Sequence, residues 1–363
     1  MLGINSISMV RLNVLLGKEF DIPLRLADIK ENDTILKLEQ LINSYKNVNS
    51  NMAAGANVER DKYPISKTQE GIFVESIANP DTTIYNMPIL LKIDNSIDIL
   101  KLNNAIISAV NAHPYIKATI SMDDNNNEIY AKRNDNANVN IEVKNIDRLP
   151  DKSTLIKPFA LMNKNLYRFV IFNTRLDGKY LYLEMHHIIG DGVSLVILLN
   201  DIEKAYKGIK LEKEKFSGFN YAVEEEKLLK TDAFEKSKKY YEILLDGADT
   251  ESLIPKDNLG IDEKKASNLM QKLNLDKDEI EKFCNEHGIT LNSFFNAVFG
   301  FTLSKYNYKE NVVYTTIYNG RNDSRVDNAV YMLVKTLPVV CKYDKDTNIK
   351  IIFLTTTSKY LTT

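Results

Sequence analysis

An α/β chain behind an all-α leading segment is what this sequence predicts, and three stretches carry the prediction. Lys179 to His187 alternates like a strand, with Tyr180, Tyr182, Glu184 and His186 on one face and Leu181, Leu183, Met185 and His187 on the other. Directly after Asp191-Gly192 the period changes, and Leu195, Leu198, Leu199 and Ile202 fall at helical spacing. Residues 1–45, by contrast, hold only helix-like patterns.

The leading segment places Ile7, Val10, Val14 and Leu15 on one amphipathic helix and Ile35, Leu36, Leu38, Leu41 and Ile42 on another, capped near Asp33-Thr34. Pro23 breaks the stretch between them. The small and polar residues that follow read as a linker over 46–62. From Tyr63 helices and strands alternate. Leu100, Leu102, Ala105, Ile106, Ala109 and Val110 give a helix with Asp98 near its start, and Ile116–Met122 with Ile129–Lys132 give a hairpin. Tyr167–Phe172 reads as a strand beside Lys179–His187. The charged run from Glu224 to Lys239 is a solvated helix face. Residues 246–266, with Gly247, Pro255 and Gly260, are a crossover to a second α/β lobe. There Leu269–Leu275 reads as a strand and Asp276–Glu286 as a helix closed by Gly288. Thr290 caps a further helix whose Phe294, Phe295, Val298 and Phe301 read as core, and Val312–Tyr318 and Leu333–Val340 complete the lobe as strands.

Composition narrows the function. The chain has 363 residues, 44% of them hydrophobic, enough for more than one folding unit with substantial cores. Its 47 basic and 49 acidic residues nearly balance, and no basic block exists, which argues against nucleic-acid and membrane-surface roles. No signal peptide is visible at Met1 and no apolar run reaches a membrane span. Cys284 and Cys341 read as reduced thiols rather than a disulfide frame. A soluble, cytoplasmic protein is expected.

Met185-His186-His187-Ile188-Ile189-Gly190-Asp191-Gly192 concentrates two of the four histidines beside a turn. An imidazole at a strand end can accept a proton near neutral pH, which few side chains can do. The bland readings are a satisfied core histidine or a metal ligand. Strand geometry sends adjacent histidines to opposite faces, so they do not share one ion, and no metal is expected.

The pattern H-H-x-x-x-D-G resembles the signature of the condensation domains of nonribosomal peptide synthetases, and six further segments extend the resemblance in order. Ser66-Lys67-Thr68-Gln69 is similar to the family's S-x-x-Q segment, and His113 to Lys117 to its R-H-x-x-L-R segment, with Lys117 where arginine is usual. Pro158-Phe159-Ala160-Leu161 and Leu166-Tyr167-Arg168 are similar to P-F-D-L and L-x-R. Asn319-Gly320-Arg321 and Leu333-Val334-Lys335-Thr336-Leu337-Pro338 resemble the G-R and F-V-N-T-L-P segments of the second lobe. Ahead of these, Leu2-Gly3-Ile4-Asn5-Ser6 looks like the L-G-x-x-S core of a peptidyl carrier domain, whose serine bears 4'-phosphopantetheine. A helix N-terminus near Ser6 suits a phosphate.

The resemblance implies a partial all-α carrier bundle at 1–45, a linker at 46–62 and a two-lobed chloramphenicol-acetyltransferase-like condensation domain. Its first lobe spans 63–245, and its second, 246–363, is expected to be truncated. The implied activity is amide formation between thioesters on donor and acceptor carrier domains, with adenylation domains adjacent. His187 is the implied base or amine-orienting acceptor, with Gly192 close to the pantetheine or thioester. Asp191 needs a cationic partner, either Arg321 bidentately or Lys117 as a point charge. His186 is expected to fix the loop, and Ser6 to be the attachment site in an intact carrier. A heterocyclising relative would carry aspartates in place of the histidines and is excluded. An epimerising relative is disfavoured because Gly192-Val193-Ser194 runs into Leu195-Val196 rather than S-W-R-I-L. A truncated remnant that binds carriers without catalysis is the non-enzyme reading.

Overall fold

A computed structural model describes residues 12–13, 15–17, 19–20, 22, 24, 26–52, 60–250, 252, 254, 269–321 and 323–343. The chain divides into two compact units, one of Lys46–Thr231 with Asn319–Val334, the other of Met1–Tyr45, Asp232–Tyr318 and Lys335–Thr363.

In the leading segment the described residues among 12–20 are helical, and α1 (Leu26–Glu31) and α2 (Ile35–Met52) follow. Ile22, Leu24, Ile29, Leu38 and Ile42 form the apolar core here, and the Tyr45 hydroxyl donates to Asp28 Oδ2 at 3.0 Å. Leu15, Ile35 and Leu36, expected in the apolar stripes, are exposed. The helix runs on to Met52, into the stretch read as linker. Ser6, Ile7 and Val10 lie outside the described residues.

The unit of Lys46–Thr231 and Asn319–Val334 carries the histidine motif. Its elements are β1 (Tyr63–Pro64), α3 (Lys67–Ala78), β2 (Asn86–Ile93), α4 (Ile99–Ala112), β3 (Thr119–Met122), β4 (Ile129–Lys132), β5 (Ile141–Ile146), α5 (Lys152–Leu155), β6 (Tyr167–Thr174), β7 (Gly178–His186), α6 (Gly192–Tyr206) and α7 (Gly218–Leu228). The expected hairpin is β3–β4, and β1 joins it as a third strand. Ile116 lies in a 3-10 turn (Pro114–Lys117) instead. The main sheet runs β2–β7–β6–β5, antiparallel except for the parallel pair β5–β6.

The β7 alternation holds, but both faces are covered. Leu181, Leu183 and Met185 enter the main core with Phe169 and Ile171 of β6, Leu102, Ile106 and Val110 of α4, and Leu195, Leu198 and Ile202 of α6. Tyr182 packs on the opposite face with Val170 and Phe172. A central strand buried on both sides ends where its last residue can turn. Val326, Ala329, Val330, Tyr331, Met332 and Leu333, read from sequence as second-lobe residues, belong to this same core. The charged run from Glu224 falls on two helices, α7 and α8 (Asp232–Leu245).

In the other unit, α9 (Lys277–His287) is closed by Gly288 in the left-handed region, as expected, while Asp276 is its N-cap rather than its first residue. Thr290 caps α10 (Leu291–Asn307), and β8 (Asn311–Tyr318) pairs antiparallel with β9 (Lys335–Lys342). Leu269–Leu275 is not a strand: these residues carry no regular structure, and Leu269, Leu273 and Leu275 are exposed. Most of the aromatic stripe of α10 is not core either: Phe294 packs partly buried against Cys284, Ile289 and Ala297, but Phe295, Val298 and Phe301 are 44%, 41% and 45% exposed. The helix buries its small residues instead, Ser293, Ala297, Gly300 and Ser304. A Cβ on Gly300 would stand 2.7 Å from the Tyr343 hydroxyl and 2.8 Å from Cys341 Sγ, so only glycine permits this approach to β9. Among the described residues no helix is long and apolar enough to cross a membrane.

Candidate active site

The strand ends one residue earlier than its alternation suggests. His186 is the last residue of β7, and His187 opens a 3-10 turn, His187–Ile189. The cause is local: His186 Nδ1 accepts the Ile188 N–H at 3.2 Å and caps the turn. The face of His187 therefore does not follow from strand period. Its backbone N–H still donates to the Tyr85 carbonyl at 2.8 Å, which ties the turn to the approach to β2.

His186 is buried against Phe159 (ring centroids 5.8 Å apart, edge-on) and Tyr85 (6.1 Å). Burial, aided by repulsion from His187, pushes its imidazole down to about 4. It is neutral at working pH, and its Nδ1 holds the Ile188 N–H within the turn. Phe159 is in turn stacked under Arg168, whose guanidinium lies 3.7 Å from the ring centroid. Arg168 Nη1 donates to Glu184 Oε2 (2.5 Å) and to the Lys157 carbonyl (2.7 Å). The P-F and L-x-R segments thus build one wall beside His186.

His187 differs from everything around it. From Leu181 to Asp191 every residue is buried except His187. Its Nδ1 is buried and, among the described residues, has no hydrogen-bond partner. Orphaned buried polar atoms are uncommon and costly, and Arg321 Nε is another among the described residues.

Asp191 is the opposite case. It is the N-cap of α6 and is 2% exposed. Oδ1 accepts the Ser194 N–H at 2.8 Å and Arg321 Nη2 at 3.2 Å, and Oδ2 accepts the Leu333 N–H at 3.1 Å. Arg321 is therefore the partner, but not bidentately, since Oδ2 is engaged by Leu333. Arg321 Nη1 is occupied by the carbonyls of Val326 (2.5 Å) and Ala329 (3.0 Å). Lys117 is not a partner of Asp191: its Nζ donates to Asn111 Oδ1 (2.9 Å) and to the Asp135 carbonyl. Burial lowers the Lys117 ammonium from its ordinary range. Gly320, with φ +68, lets the Asn-Gly-Arg turn pass the Leu333 carbonyl, 2.0 Å from where a Cβ would sit.

Gly192, the first residue of α6, is exposed, and nothing lies within 4 Å of an added Cβ. Its backbone needs no left-handed angle, so no turn requirement demands glycine here. The space above it is open to a ligand.

Several contributors were not assigned from sequence. Gln69, fully buried, donates to the Ile188 carbonyl at 2.7 Å. Ser66 and Gln69 form a capping box on α3, and the S-x-x-Q spacing was the signal for it. His113 lies between Glu214 Oε1 (2.5 Å) and Asp201 Oδ2 (2.9 Å). Burial alone would lower this imidazole, but the two carboxylates overcome it and hold its pKa above the ordinary range. No sequence spacing pairs residues that lie so far apart in the chain.

His187, partly open to solvent, thus stands in the turn that leads to the N-terminus of α6, beside the buried Asp191–Arg321 ion pair. The condensation-domain family model matches residues 59–362, and the model for the phosphopantetheine attachment site matches residues 1–42. The chain belongs to the condensation-domain family. It is 27% identical over 366 residues to gramicidin S synthase 2 of Aneurinibacillus migulanus, covering 96% of this chain and 8% of that protein. To surfactin synthase subunit 1 of Bacillus subtilis (strain 168) it is 24% identical over 342 residues, covering 93% and 10%. The chain thus spans about a tenth of these relatives. Among solved structures, the first condensation domain of the calcium-dependent antibiotic synthetase with a substrate analogue superposes with TM-score 0.66 at 15% identity, covering 83% of this chain and 74% of that one. The epimerization domain from the third module of tyrocidine synthetase B gives 0.67 at 19% identity, covering 83% and 74%. Both show the fold, which is the α/β condensation-domain fold expected. The described residues of the leading segment, helical around one apolar core, fit a carrier bundle that takes 4'-phosphopantetheine.

Proposed function

We propose that this chain joins two carrier-bound acyl groups by an amide bond, with His187 as the residue that orients the acceptor amine and takes its proton. The observation that carries the reading is the contrast within one loop: His187 alone is open to solvent among buried neighbours, with an unspent Nδ1. The acceptor nitrogen attacks the donor thioester carbonyl carbon. The C–N bond forms, the C–S bond breaks, and the proton leaving nitrogen passes through the imidazole to the departing thiolate. The exposed N-terminus of α6 at Gly192 offers N–H groups without intrahelical partners toward the developing oxyanion. Asp191 and Arg321 touch no reactant in this scheme; they hold the turn. When bound, 4'-phosphopantetheine supplies the thioester, and Ser6 is the residue that would bear it. Carrier domains are the partners, with adenylation domains loading them.

The test is to load donor and acceptor carriers, mix them with the chain and follow the dipeptidyl thioester by mass spectrometry. His187→Ala is expected to lower product formation ~10²–10⁴-fold, the usual contribution of a positioned acid–base group. Full activity in that variant sinks the assignment of His187. An inverted aminoacyl thioester with no amide would instead select epimerisation.

A further inference from the structure

Gln69 is buried completely, and its side-chain amide makes four hydrogen bonds. Oε1 accepts from the Ser66 N–H (2.8 Å) and from the Tyr331 hydroxyl (2.7 Å). Nε2 donates to the Tyr115 hydroxyl (3.1 Å) and to the Ile188 carbonyl (2.7 Å). Both amide protons and both sides of the oxygen are therefore spent, which leaves the side chain one orientation. Ile188 immediately follows His187 and is itself fully buried, so its carbonyl has no solvent to fall back on.

Tyr331 links this amide to the Asp191 end of the loop. Its N–H donates to Ser194 Oγ (3.3 Å), and its carbonyl stands 3.0 Å from the same hydroxyl. Ser194 Oγ in turn lies 2.8 Å from Asp191 Oδ1. The Tyr331 ring meets Tyr115 edge-on at 4.6 Å. It fits only because residue 218 is glycine, where a Cβ would stand 2.2 Å from the ring. Burial keeps the Tyr331 phenol protonated, and so a donor, across the working pH range.

We propose that Gln69, aligned by the Tyr331 hydroxyl, is a positioning residue that sets the His187–Ile189 turn, and with it the aim of the His187 imidazole, so that it governs rate rather than substrate binding. The proposal rests on the reading of His187 as the working residue. Gln69→Glu keeps the acceptor oxygen for Ser66 and Tyr331 but removes the donor to the Ile188 carbonyl. Tyr331→Phe removes one hydroxyl and leaves the ring packing.

Single-turnover amide formation by the full chain, with loaded carriers at saturating and subsaturating acceptor, separates rate from binding, and thermal melts report folding. Gln69→Glu is expected to slow the saturated step ~10–10²-fold, as a small misplacement of a catalytic group does, with the half-saturating concentration within about 2-fold. Tyr331→Phe should slow it in the same sense by about 3-fold with a native melt, and it carries the test if Gln69→Glu fails to fold. In a His187→Ala background, Gln69→Glu should cost no further rate, because a residue acting through His187 has nothing left to aim. An unchanged saturated rate in folded Gln69→Glu or Tyr331→Phe, a loss confined to half-saturation, or an additive loss in the double variant overturns the proposal. If His187→Ala itself keeps full rate, the reading of His187 fails first. If His187→Ala is inactive and Gln69→Glu is fully active, only the positioning claim fails.

Discussion

The two ends of one short loop, His187 and Asp191, are treated oppositely by the fold. At the Asp191 end both carboxylate oxygens are engaged by a guanidinium and backbone N–H groups, and the side chain is out of water. At the His187 end one ring nitrogen has no partner among the described residues and the residue is half-open. Both are polar groups in a largely apolar neighbourhood, where the default is full satisfaction. The difference teaches which end is scaffold and which is available for chemistry: a group whose bonds are all spent inside the protein has none left for a substrate.

The strongest way to break that comparison is to remove the scaffold. Asp191→Ala should destabilise the domain by about 3–5 kcal/mol, because it strands the buried Arg321 guanidinium beside Leu333. Chemical denaturation measures it, and a loss below about 1 kcal/mol would mean that the two ends are not different in kind. Gly320→Ala attacks the same end from the backbone. A Cβ placed 2.0 Å from the Leu333 carbonyl at φ +68 forces the turn apart, and we expect about 2–4 kcal/mol, read from the same denaturation curve.

His186 sharpens the comparison through pH. Its imidazole sits near 4 when folded, against an ordinary value of about 6.5. A histidine depressed in this way contributes stability that is fully present above the unfolded value and is lost as pH falls from about 6.5 through 4. His186→Asn, which keeps an acceptor for the Ile188 N–H, should flatten the fall in melting temperature over that window. His113 works with the opposite sign: raised by its two carboxylates, it stabilises below about 6.5 and loses that contribution as pH rises through its folded value. A His113→Gln control separates the two. The smallest effect belongs to the open end. Gly192→Ala places a methyl in empty space at a helix start and should change stability by no more than about 0.5–1 kcal/mol. Its amide-forming rate should fall all the same if a ligand approaches there.

Much of this was legible in the chain. The alternation in β7, the change of period at α6 and the caps at Asp98 and Thr290 follow from local spacing, and the ordered motifs narrowed the partner of Asp191 to Arg321 or Lys117. The period of β7 misled at its last residue, because a cap by His186 Nδ1 competes with strand continuation. The period of α10 misled about its buried face, because close approach to β9 selects small residues over aromatic ones.

What the sequence by itself determined is the set of local elements and the identity of the motif residues, since caps, turns and periodicity act over a few residues. The tertiary structure alone decided that Gln69 reaches Ile188, that Tyr331 joins Gln69 to Ser194, that His113 stands between Asp201 and Glu214, and that Lys117 serves Asn111 rather than Asp191. These pairings join residues mostly scores of positions apart, or choose among equally charged partners. Their cause is the burial of polar groups that must be satisfied once the core closes, and that requirement appears only when the chain is packed.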